Sequence, residues 1–305
     1  MILVTGGTGV MGSVLVRRLV ENGNKVRVLT LPDDPHCARV TEYTDDIVFG
    51  SVTDRQSVRL ACKGVKTIYH LAAVIITNDE QLYEQINYHG TRVMVEEAQL
   101  AKVKHFVYVS SASVVYPRPT PYSLSKRAAE SVIRQSTISF TIVRPTLVYD
   151  EGRGGQEFDM YLDYLRKFPA IPFIGKGLAL KRPVFVNDII EGLVKIHKNK
   201  RARGKTYNFS GGESISMIDF TRLCLRLLKC SFKPIIPIPE KLCTVIASTA
   251  EKNMKNPPLR WSVIAGVTQD ADLDSWEARL DLGYDPLPVS RKLPECFPRE
   301  KPEDC

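Results

Sequence analysis

The glycine spacing at the start of the chain constrains its fold most. Residues 1–12, MILVTGGTGVMG, run from an apolar strand into Gly6, Gly9 and Gly12, and a helical pattern follows directly. Gly6 permits a tight turn, Gly9 lets the backbone approach phosphate groups, and Gly12 lets helix and strand pack closely. Because a helix N-terminus offers free N–H groups and a partial positive charge, this pattern predicts a site for a dinucleotide pyrophosphate.

A second group of polar side chains lies near the middle of the chain. Tyr122 and Lys126 are four residues apart, so both emerge on one face of a predicted helix. Just upstream, residues 105–113 form a predicted buried strand that ends in serine hydroxyls. The carboxyl end of such a strand is where an open α/β sheet binds its ligand.

The T-G-x-x-G-x-x-G loop and the Y-x-x-x-K pair resemble those of the extended short-chain dehydrogenases/reductases, the NAD-dependent epimerase/dehydratase family. Segments 67–73, 87–91, 144–149 and 280–286 extend the resemblance over essentially the whole chain. It implies an α/β fold, a Rossmann-like doubly wound parallel sheet with a smaller C-terminal substrate lobe. We assign residues 1–150 to the NAD(P)-binding core, to which strands near 180–210 return, and residues 151–305 mainly to the lobe.

The resemblance implies a catalytic role for the central polar residues. Tyrosine is too weak an acid to exchange protons near neutral pH, but an adjacent ammonium and an oxidised nicotinamide both lower its pKa. We therefore expect Tyr122 to be the general acid/base, with Lys126 beside it and hydrogen-bonded to the nicotinamide ribose. Ser111 is expected to hold the substrate oxygen, and Ser110 and Ser113 remain alternatives.

Two further features of the catalytic region follow from the same resemblance. Asn87, in the stretch N-Y-H-G-T, is expected to steady the active-site framework, and a plain helix-initiating role is the alternative. Ser111 and Tyr122 are closer in sequence than in most extended members. We expect this short loop to leave the substrate cleft more open or the triad imperfectly formed.

The expected cofactor is NAD, and NADP is not excluded. Asp33 and Asp34 follow the second strand and would repel a 2′-phosphate, whereas Arg39 nearby would attract one. The cofactor-binding residues that the resemblance implies are Gly6, Thr8, Gly9, Val10, Met11, Thr30, Asp33, Ser51, Val52, Leu71, Ala72, Ala73, Tyr122, Lys126 and Pro145.

Two segments bear on the substrate. The stretch 181–188 resembles the one in which nucleotide-sugar enzymes present an arginine to phosphates, so Arg182 joins Ser113 as a candidate substrate ligand. Pairing of Arg182 with a nearby carboxylate is the alternative. Segment 234–248 predicts an amphipathic helix that walls an apolar pocket, touches a membrane surface or packs in the lobe core.

The favoured function is NAD(P)-dependent oxidoreduction or epimerisation at a sugar or nucleotide-sugar hydroxyl or ketone. The runner-up is a 3-beta-hydroxysteroid-dehydrogenase-like enzyme that acts on an apolar alcohol. A third reading is a non-catalytic NAD(P)-binding sensor or accessory subunit, although proteins of that kind generally lose the tyrosine or the lysine, and Tyr122 and Lys126 are both present.

Composition sets the remaining expectations. The net charge is +8, but lysine and arginine are dispersed, so no nucleic-acid partner is expected. The seven cysteines show no zinc spacing, which predicts no metal site and reduced thiols in a cytosol-like compartment. The first strand begins at residue 2 and no apolar run would span a bilayer, so we expect a cytoplasmic protein without a signal peptide. A homodimer through helix 82–100 is expected by resemblance.

Overall fold

Strands and helices alternate along the chain in this computed structural model, which describes residues 1–150, 156–254, 257 and 259–297. The strands are β1 (Ile2–Thr5), β2 (Val26–Thr30), β3 (Ile47–Phe49), β4 (Thr67–His70), β5 (His105–Val109), β6 (Phe140–Pro145), β7 (Val148–Tyr149), β8 (Ile171–Ile174), β9 (Leu180–Lys181), β10 (Val184–Phe185), β11 (Lys205–Phe209), β12 (Ile215–Ser216) and β13 (Ile235–Ile238).

The helices lie between these strands and after them. They are α1 (Val10–Glu21), α2 (Ala38–Thr41), α3 (Arg55–Ala61), α4 (Thr91–Leu100), α5 (Pro121–Gln135), α6 (Gln156–Lys167), α7 (Val186–Ile196), α8 (Met217–Leu227), α9 (Glu240–Asn253), α10 (Trp261–Thr268), α11 (Trp276–Leu282) and α12 (Val289–Lys292). A π-helix covers Tyr83–Gly90, and 3-10 turns cover Ala112–Val115, Lys200–Ala202 and Leu293–Cys296.

The main sheet has seven parallel strands in the order β11-β6-β5-β4-β1-β2-β3. Consecutive strands run outward in both directions from the β1–β4 pair, so the strand order reverses there. In doubly wound sheets the ligand crevice lies at the carboxyl ends of the two strands at this point. The predicted Rossmann-like, doubly wound parallel fold is confirmed. Strand β11, which follows residue 180 in the chain, forms one edge of this sheet.

Helices cover both faces of the sheet and bury its apolar side chains. Helices α1 and α7 pack together on one face, where Leu15 and Leu193 are fully buried. Helices α3, α4 and α5 cover the other face, where Met94 and Ile133 are fully buried. Each such side chain contributes roughly 1.5–3 kcal/mol through burial, so these two layers hold the strand ends in fixed positions.

The second half of the chain divides between a small lobe and the main sheet. The lobe contains the strand pairs β8–β13 and β9–β12 and the contacting helices α9 and α10. The chain then returns to the sheet, where the Tyr284 ring stacks on Phe209 with 4.5 Å between centroids. The described residues from 156 onward therefore build the lobe and also complete the seven-stranded sheet.

Segment 234–248 contains strand β13 and the first part of α9. One face of α9 packs through Cys243 and Ala247 in the lobe core. Packing in the lobe core is one of the three roles that the sequence predicts for this segment. The opposite face leaves Leu242, Val245 and Ile246 exposed. In the described part of the chain, no helix combines the length and apolarity that a membrane crossing requires. The homodimer and the cytoplasmic location stay predictions.

Candidate functional site

The glycine loop after β1 has the geometry of a phosphate cradle. Gly6 has a φ of +67°, and a Cβ there would lie 2.7 Å from the Ala72 nitrogen. A Cβ on Gly12 would lie 2.0 Å from the Gly6 carbonyl oxygen, so only glycine lets α1 approach the loop this closely. Gly9 is exposed, and no side chain caps α1 there. The uncapped helix start beside an exposed glycine fits a pyrophosphate.

The end of β2 brings a carboxylate to this loop, and the residue is Asp34. Its Oδ2 accepts hydrogen bonds from Thr8 Oγ1 at 2.5 Å and Thr30 Oγ1 at 2.7 Å. Burial acts to raise the Asp34 pKa, but the two hydroxyls together with the backbone N–H and charge of His36 outweigh it, and the pKa is lowered. Arg39 donates to the Thr8 carbonyl oxygen at 3.3 Å, whereas Asp33 is exposed. The structure therefore places Asp34, and not Asp33, beside the glycine loop.

The other predicted cofactor residues follow strand ends at the same edge of the sheet. Ser51 and Val52 follow β3, and Val52 packs against the π-helix, where a Cβ on Gly90 would lie 2.8 Å from Val52 Cγ2. Residues 71–73 follow β4, and Pro145 ends β6. Val10 and Met11 open α1. The strand order brings all of them to the edge where the crevice opens.

Of the three candidate serines, Ser111 is the one that meets Tyr122. Its hydroxyl lowers the Tyr122 pKa through a side-chain hydrogen bond. Ser111 Oγ also accepts from the Ser113 backbone N–H at 3.2 Å and lies 2.8 Å from Ser113 Oγ. Ser110 is buried with 5 % of its surface exposed. This arrangement favours Ser111 as the group beside the phenol, with Ser113 next to it.

Several groups around Tyr122 keep its phenol protonated. Burial raises the Tyr122 pKa most, and the negative charge of Glu157 raises it further. The Tyr83 ring meets the Tyr122 ring edge-on with 5.9 Å between centroids. Glu157 is exposed as a residue, but desolvation by the neighbouring protein raises the pKa of its own carboxyl group. Glu157 is a neighbour of the phenol that sequence reasoning missed.

Lys126 is buried within the protein. Its Nζ donates to the Val109 carbonyl oxygen at 2.8 Å and lies 4.3 Å from the Tyr108 ring centroid. Burial lowers the Lys126 pKa to about 7, opposed by the charge of Glu130. The ammonium thus points to the end of β5, and its expected effect on the phenol stays a prediction.

Asn87 connects the segment after β4 to α5, the helix that carries Tyr122 and Lys126. Its Oδ1 accepts from the Val74 N–H at 2.8 Å, and its Nδ2 donates to the Val74 oxygen at 2.9 Å and to Ser125 Oγ at 3.1 Å. Ser125 Oγ in turn donates to the Tyr122 carbonyl oxygen at 2.7 Å. Asn87 is completely buried in the π-helix, which is a suitable place for a framework residue.

Arg182, the candidate substrate ligand, has a partner within the protein. Its guanidinium forms an ion pair with Asp272, and its carbonyl oxygen accepts a hydrogen bond from Thr146 Oγ1. The sequence alternative, in which Arg182 pairs with a carboxylate, describes this arrangement. Among the described residues, no group of three or more His, Cys, Asp or Glu side chains could hold a metal ion.

The short loop that precedes α5 is tied on both sides. Arg127 of α5 donates to the Val114 carbonyl oxygen at 2.9 Å. On the other side, Arg118 donates to the Glu240 carboxylate at 2.5 Å and to Thr268 Oγ1 at 2.6 Å, both in the lobe. The loop is thus clamped between α5 and the lobe, and sequence reasoning did not identify either arginine.

Replacing Arg118 with alanine should loosen the lobe. The ion pair is partly exposed, so it and the hydrogen bond to Thr268 together contribute about 1–2 kcal/mol. We expect the melting temperature to fall by a few degrees in calorimetry. The control is Arg222→Ala, which removes an exposed ion pair with Asp219 within α8. This variant should leave the melting temperature unchanged. Equal melting temperatures for the two variants would contradict the clamp.

Comparisons with known proteins identify the family of this chain. The model of the NAD dependent epimerase/dehydratase family matches residues 2–210. A 3-beta-hydroxysteroid dehydrogenase of Mycolicibacterium neoaurum is 26% identical over 97% of this chain and 90% of its own. Subunit 9 of the NADH dehydrogenase [ubiquinone] 1 alpha subcomplex of Rattus norvegicus is 24% identical over 98% of this chain and 80% of its own.

A solved structure shows the same fold. The UDP-glucose 4-epimerase of Thermotoga maritima, solved with UDP-glucose, superposes with a TM-score of 0.75 and 20% identity over 97% of each chain. The family model covers more than half of this chain and includes the glycine loop, Tyr122 and Lys126. The protein therefore belongs to the NAD-dependent epimerase/dehydratase family, the extended short-chain dehydrogenases/reductases, which are NAD-dependent enzymes.

Proposed function

We propose that this protein oxidises a secondary alcohol, or reduces the corresponding ketone, at a site made of Ser111, Tyr122 and Lys126. The observation that carries this is that the Ser111 hydroxyl, just after the end of β5, acts on the Tyr122 phenol and lowers its pKa. That end of the strand faces the crevice in which the glycine loop would place a dinucleotide. Hydroxyl, phenol and cofactor site thus share one edge of the sheet.

In this proposal the chain's residues handle the proton and the substrate oxygen. When bound, NAD supplies the hydride acceptor and a positive ring charge that favours the Tyr122 phenolate. Tyr122 takes the alcohol proton during oxidation and returns it during reduction. Ser111 donates a hydrogen bond to the substrate oxygen as charge develops there. Without cofactor the phenol stays protonated, because burial and Glu157 raise its pKa.

Two observations favour an apolar alcohol over a nucleotide sugar. Arg182, the candidate phosphate ligand, is already neutralised by Asp272. Apolar side chains are also exposed on both loops beside the phenol, namely Val115 and Ile75. Val115 lies two residues after Ser113, and the Ile75 oxygen accepts a hydrogen bond from the Tyr83 hydroxyl at 3.1 Å. The similarity to a 3-beta-hydroxysteroid dehydrogenase points the same way. We therefore place the hydroxysteroid-like substrate first and the nucleotide sugar second.

Turnover on two substrate panels tests this order. Purified protein with NAD is offered 3-beta-hydroxysteroids or UDP-sugars, and formation of NADH with the oxidised product, or of a rearranged sugar, is followed. Turnover of steroids that persists in Arg182→Ala supports the proposal. Turnover of UDP-sugars that Arg182→Ala abolishes would replace it with the nucleotide-sugar function. Cofactor binding with no turnover on either panel would favour an accessory role, as the similarity to a complex subunit allows.

We infer that NAD is preferred to NADP because the ionised Asp34 stands beside Thr8 and Thr30, where it would repel a 2′-phosphate. NADH should bind more tightly than NADPH in a fluorescence titration. Asp34→Asn should reduce that preference by about tenfold, which is the scale of one nearby charge. Asp33→Asn, the control next in sequence, should leave the ratio of dissociation constants unchanged. Equal effects of the two variants would contradict the role of Asp34.

A further inference from the structure

A buried histidine that the catalytic assignment does not use lies between the cofactor loop and the catalytic framework. His70 ends β4 and pairs in register with Thr5 of β1. It is completely buried, and its ring stacks on Tyr108 with 5.7 Å between centroids. His70 Nδ1 lies 2.6 Å from Thr5 Oγ1, and Nε2 lies 2.9 Å from Thr91 Oγ1. Both ring nitrogens therefore meet a hydroxyl.

The contacts of Thr91 fix where the ring carries its proton. Thr91 Oγ1 donates its only proton to the Asn87 carbonyl oxygen at 2.7 Å. Toward His70 it can only accept, so Nε2 must carry the hydrogen.

The other ring nitrogen then fixes Thr5. With its hydrogen on Nε2, the neutral His70 ring presents Nδ1 as an acceptor, so the Thr5 hydroxyl must donate to it. Thr5 Oγ1 is left to accept from the Ala72 backbone N–H at 3.3 Å. The hydrogen bonds consequently run from Ala72 through Thr5 to one side of the ring, and from its other side through Thr91 to Asn87.

Both ends of this chain of bonds reach the proposed site. Thr5 precedes Gly6, and a Cβ on Gly6 would lie 2.7 Å from the same Ala72 nitrogen. At the other end, Asn87 holds Ser125, whose hydroxyl donates to the Tyr122 carbonyl oxygen.

We propose that His70 is a positioning residue whose single tautomer fixes the Thr5 and Thr91 hydroxyls and thereby couples the cofactor loop to the catalytic helix. The coupling rests on the proposed function for its cofactor, but the hydrogen-bond chain exists without one. Burial supports a neutral ring, since it lowers the His70 pKa to about 3, with the Lys126 charge adding to the effect.

The tautomer is testable on the cofactor-free protein by nitrogen-15 NMR of the histidine rings. We expect His70 to be neutral with its proton on Nε2, and to stay so down to pH 5. A proton on Nδ1, or a charged ring at pH 6, would overturn the proposal. This measurement needs no cofactor, so it judges the hydrogen-bond chain even if the proposed function is wrong.

The coupling is testable through NADH binding, with a matched control elsewhere in the sheet. His105 Nε2 lies 2.8 Å from Thr141 Oγ1, which donates to the Ala202 oxygen at 2.6 Å. This buried His–Thr–carbonyl arrangement has the same chemistry. His105 begins β5, however, so it lies at the amino end of the strand, opposite the end that faces the crevice. Thr91→Val and Thr141→Val therefore each remove one buried hydroxyl that contacts a histidine ring and a backbone carbonyl oxygen.

We expect Thr91→Val to raise the NADH dissociation constant about tenfold, because it leaves the His70 donor unpaired. Thr141→Val should lower the melting temperature by a comparable amount but leave the NADH dissociation constant unchanged. Thr5→Val should raise the NADH dissociation constant as Thr91→Val does. The dissociation constant of the double variant should be no higher than that of whichever single variant binds NADH more weakly. Equal dissociation constants for Thr91→Val and Thr141→Val, or multiplying effects in the double variant, would overturn the coupling. If the wild type binds no NADH, the proposed function fails instead.

Discussion

Replacing Tyr122 with phenylalanine is expected to lower kcat by about 10²–10⁴-fold, the contribution of a positioned general acid/base. Phenylalanine keeps the ring, so the edge-on contact with Tyr83 is preserved. The substitution removes only the oxygen that Ser111 meets. NADH binding and the melting temperature should therefore stay close to those of the wild type, while turnover on the responsive substrate panel is lost.

The matched control removes a neighbouring phenol oxygen. Tyr83→Phe makes the same chemical change on the adjacent ring and costs one hydrogen bond, from the Tyr83 hydroxyl to the Ile75 oxygen. We expect its kcat to change no more than a few-fold. Retained activity in Tyr122→Phe would show that the proton moves through another group. An equal loss in Tyr83→Phe would show that the effect comes from packing.

The parts of the site that depend on local spacing could be predicted from the sequence. Gly6, Gly9 and Gly12 fix a strand, a turn and a helix within a dozen residues. Tyr122 and Lys126 share a helix face because of the helical period. Such features need no knowledge of distant contacts, and the parallel sheet followed from the alternation of strands and helices.

The parts that depend on a turn or on distant residues could not be predicted. Asp33 and Asp34 are neighbours, and only the turn after β2 decides which carboxylate reaches Thr8. Arg182 is neutralised by a residue about ninety positions away, in a lobe whose packing no local pattern describes.

The His70 contact with Thr5 needed the register of two strands. Each residue ends its own strand, but 65 residues separate them in the chain. With β1 and β4 aligned, the contact follows directly; without the alignment, a buried histidine at the end of an apolar strand has no evident partner.

The glycine loop offers the second large effect, through Gly12→Ala. The new Cβ would lie 2.0 Å from the Gly6 carbonyl oxygen and 2.7 Å from Gly7 Cα. Both are backbone atoms, so α1 and the loop must move apart. Overpacking of this kind costs typically 1–3 kcal/mol. Because the loop and the start of α1 form the proposed phosphate cradle, their displacement should also weaken binding of the cofactor.

We expect Gly12→Ala to raise the NADH dissociation constant by about tenfold or more and to lower the melting temperature. Gly266→Ala is the control: it lies in α10, a Cβ there meets nothing within 4 Å, and alanine favours the helix by roughly 0.5–1 kcal/mol. Its binding should be unchanged and its melting temperature equal or higher. If Gly12→Ala binds NADH like the wild type, the cofactor does not depend on the close approach of α1 to this loop, and the phosphate cradle must lie elsewhere.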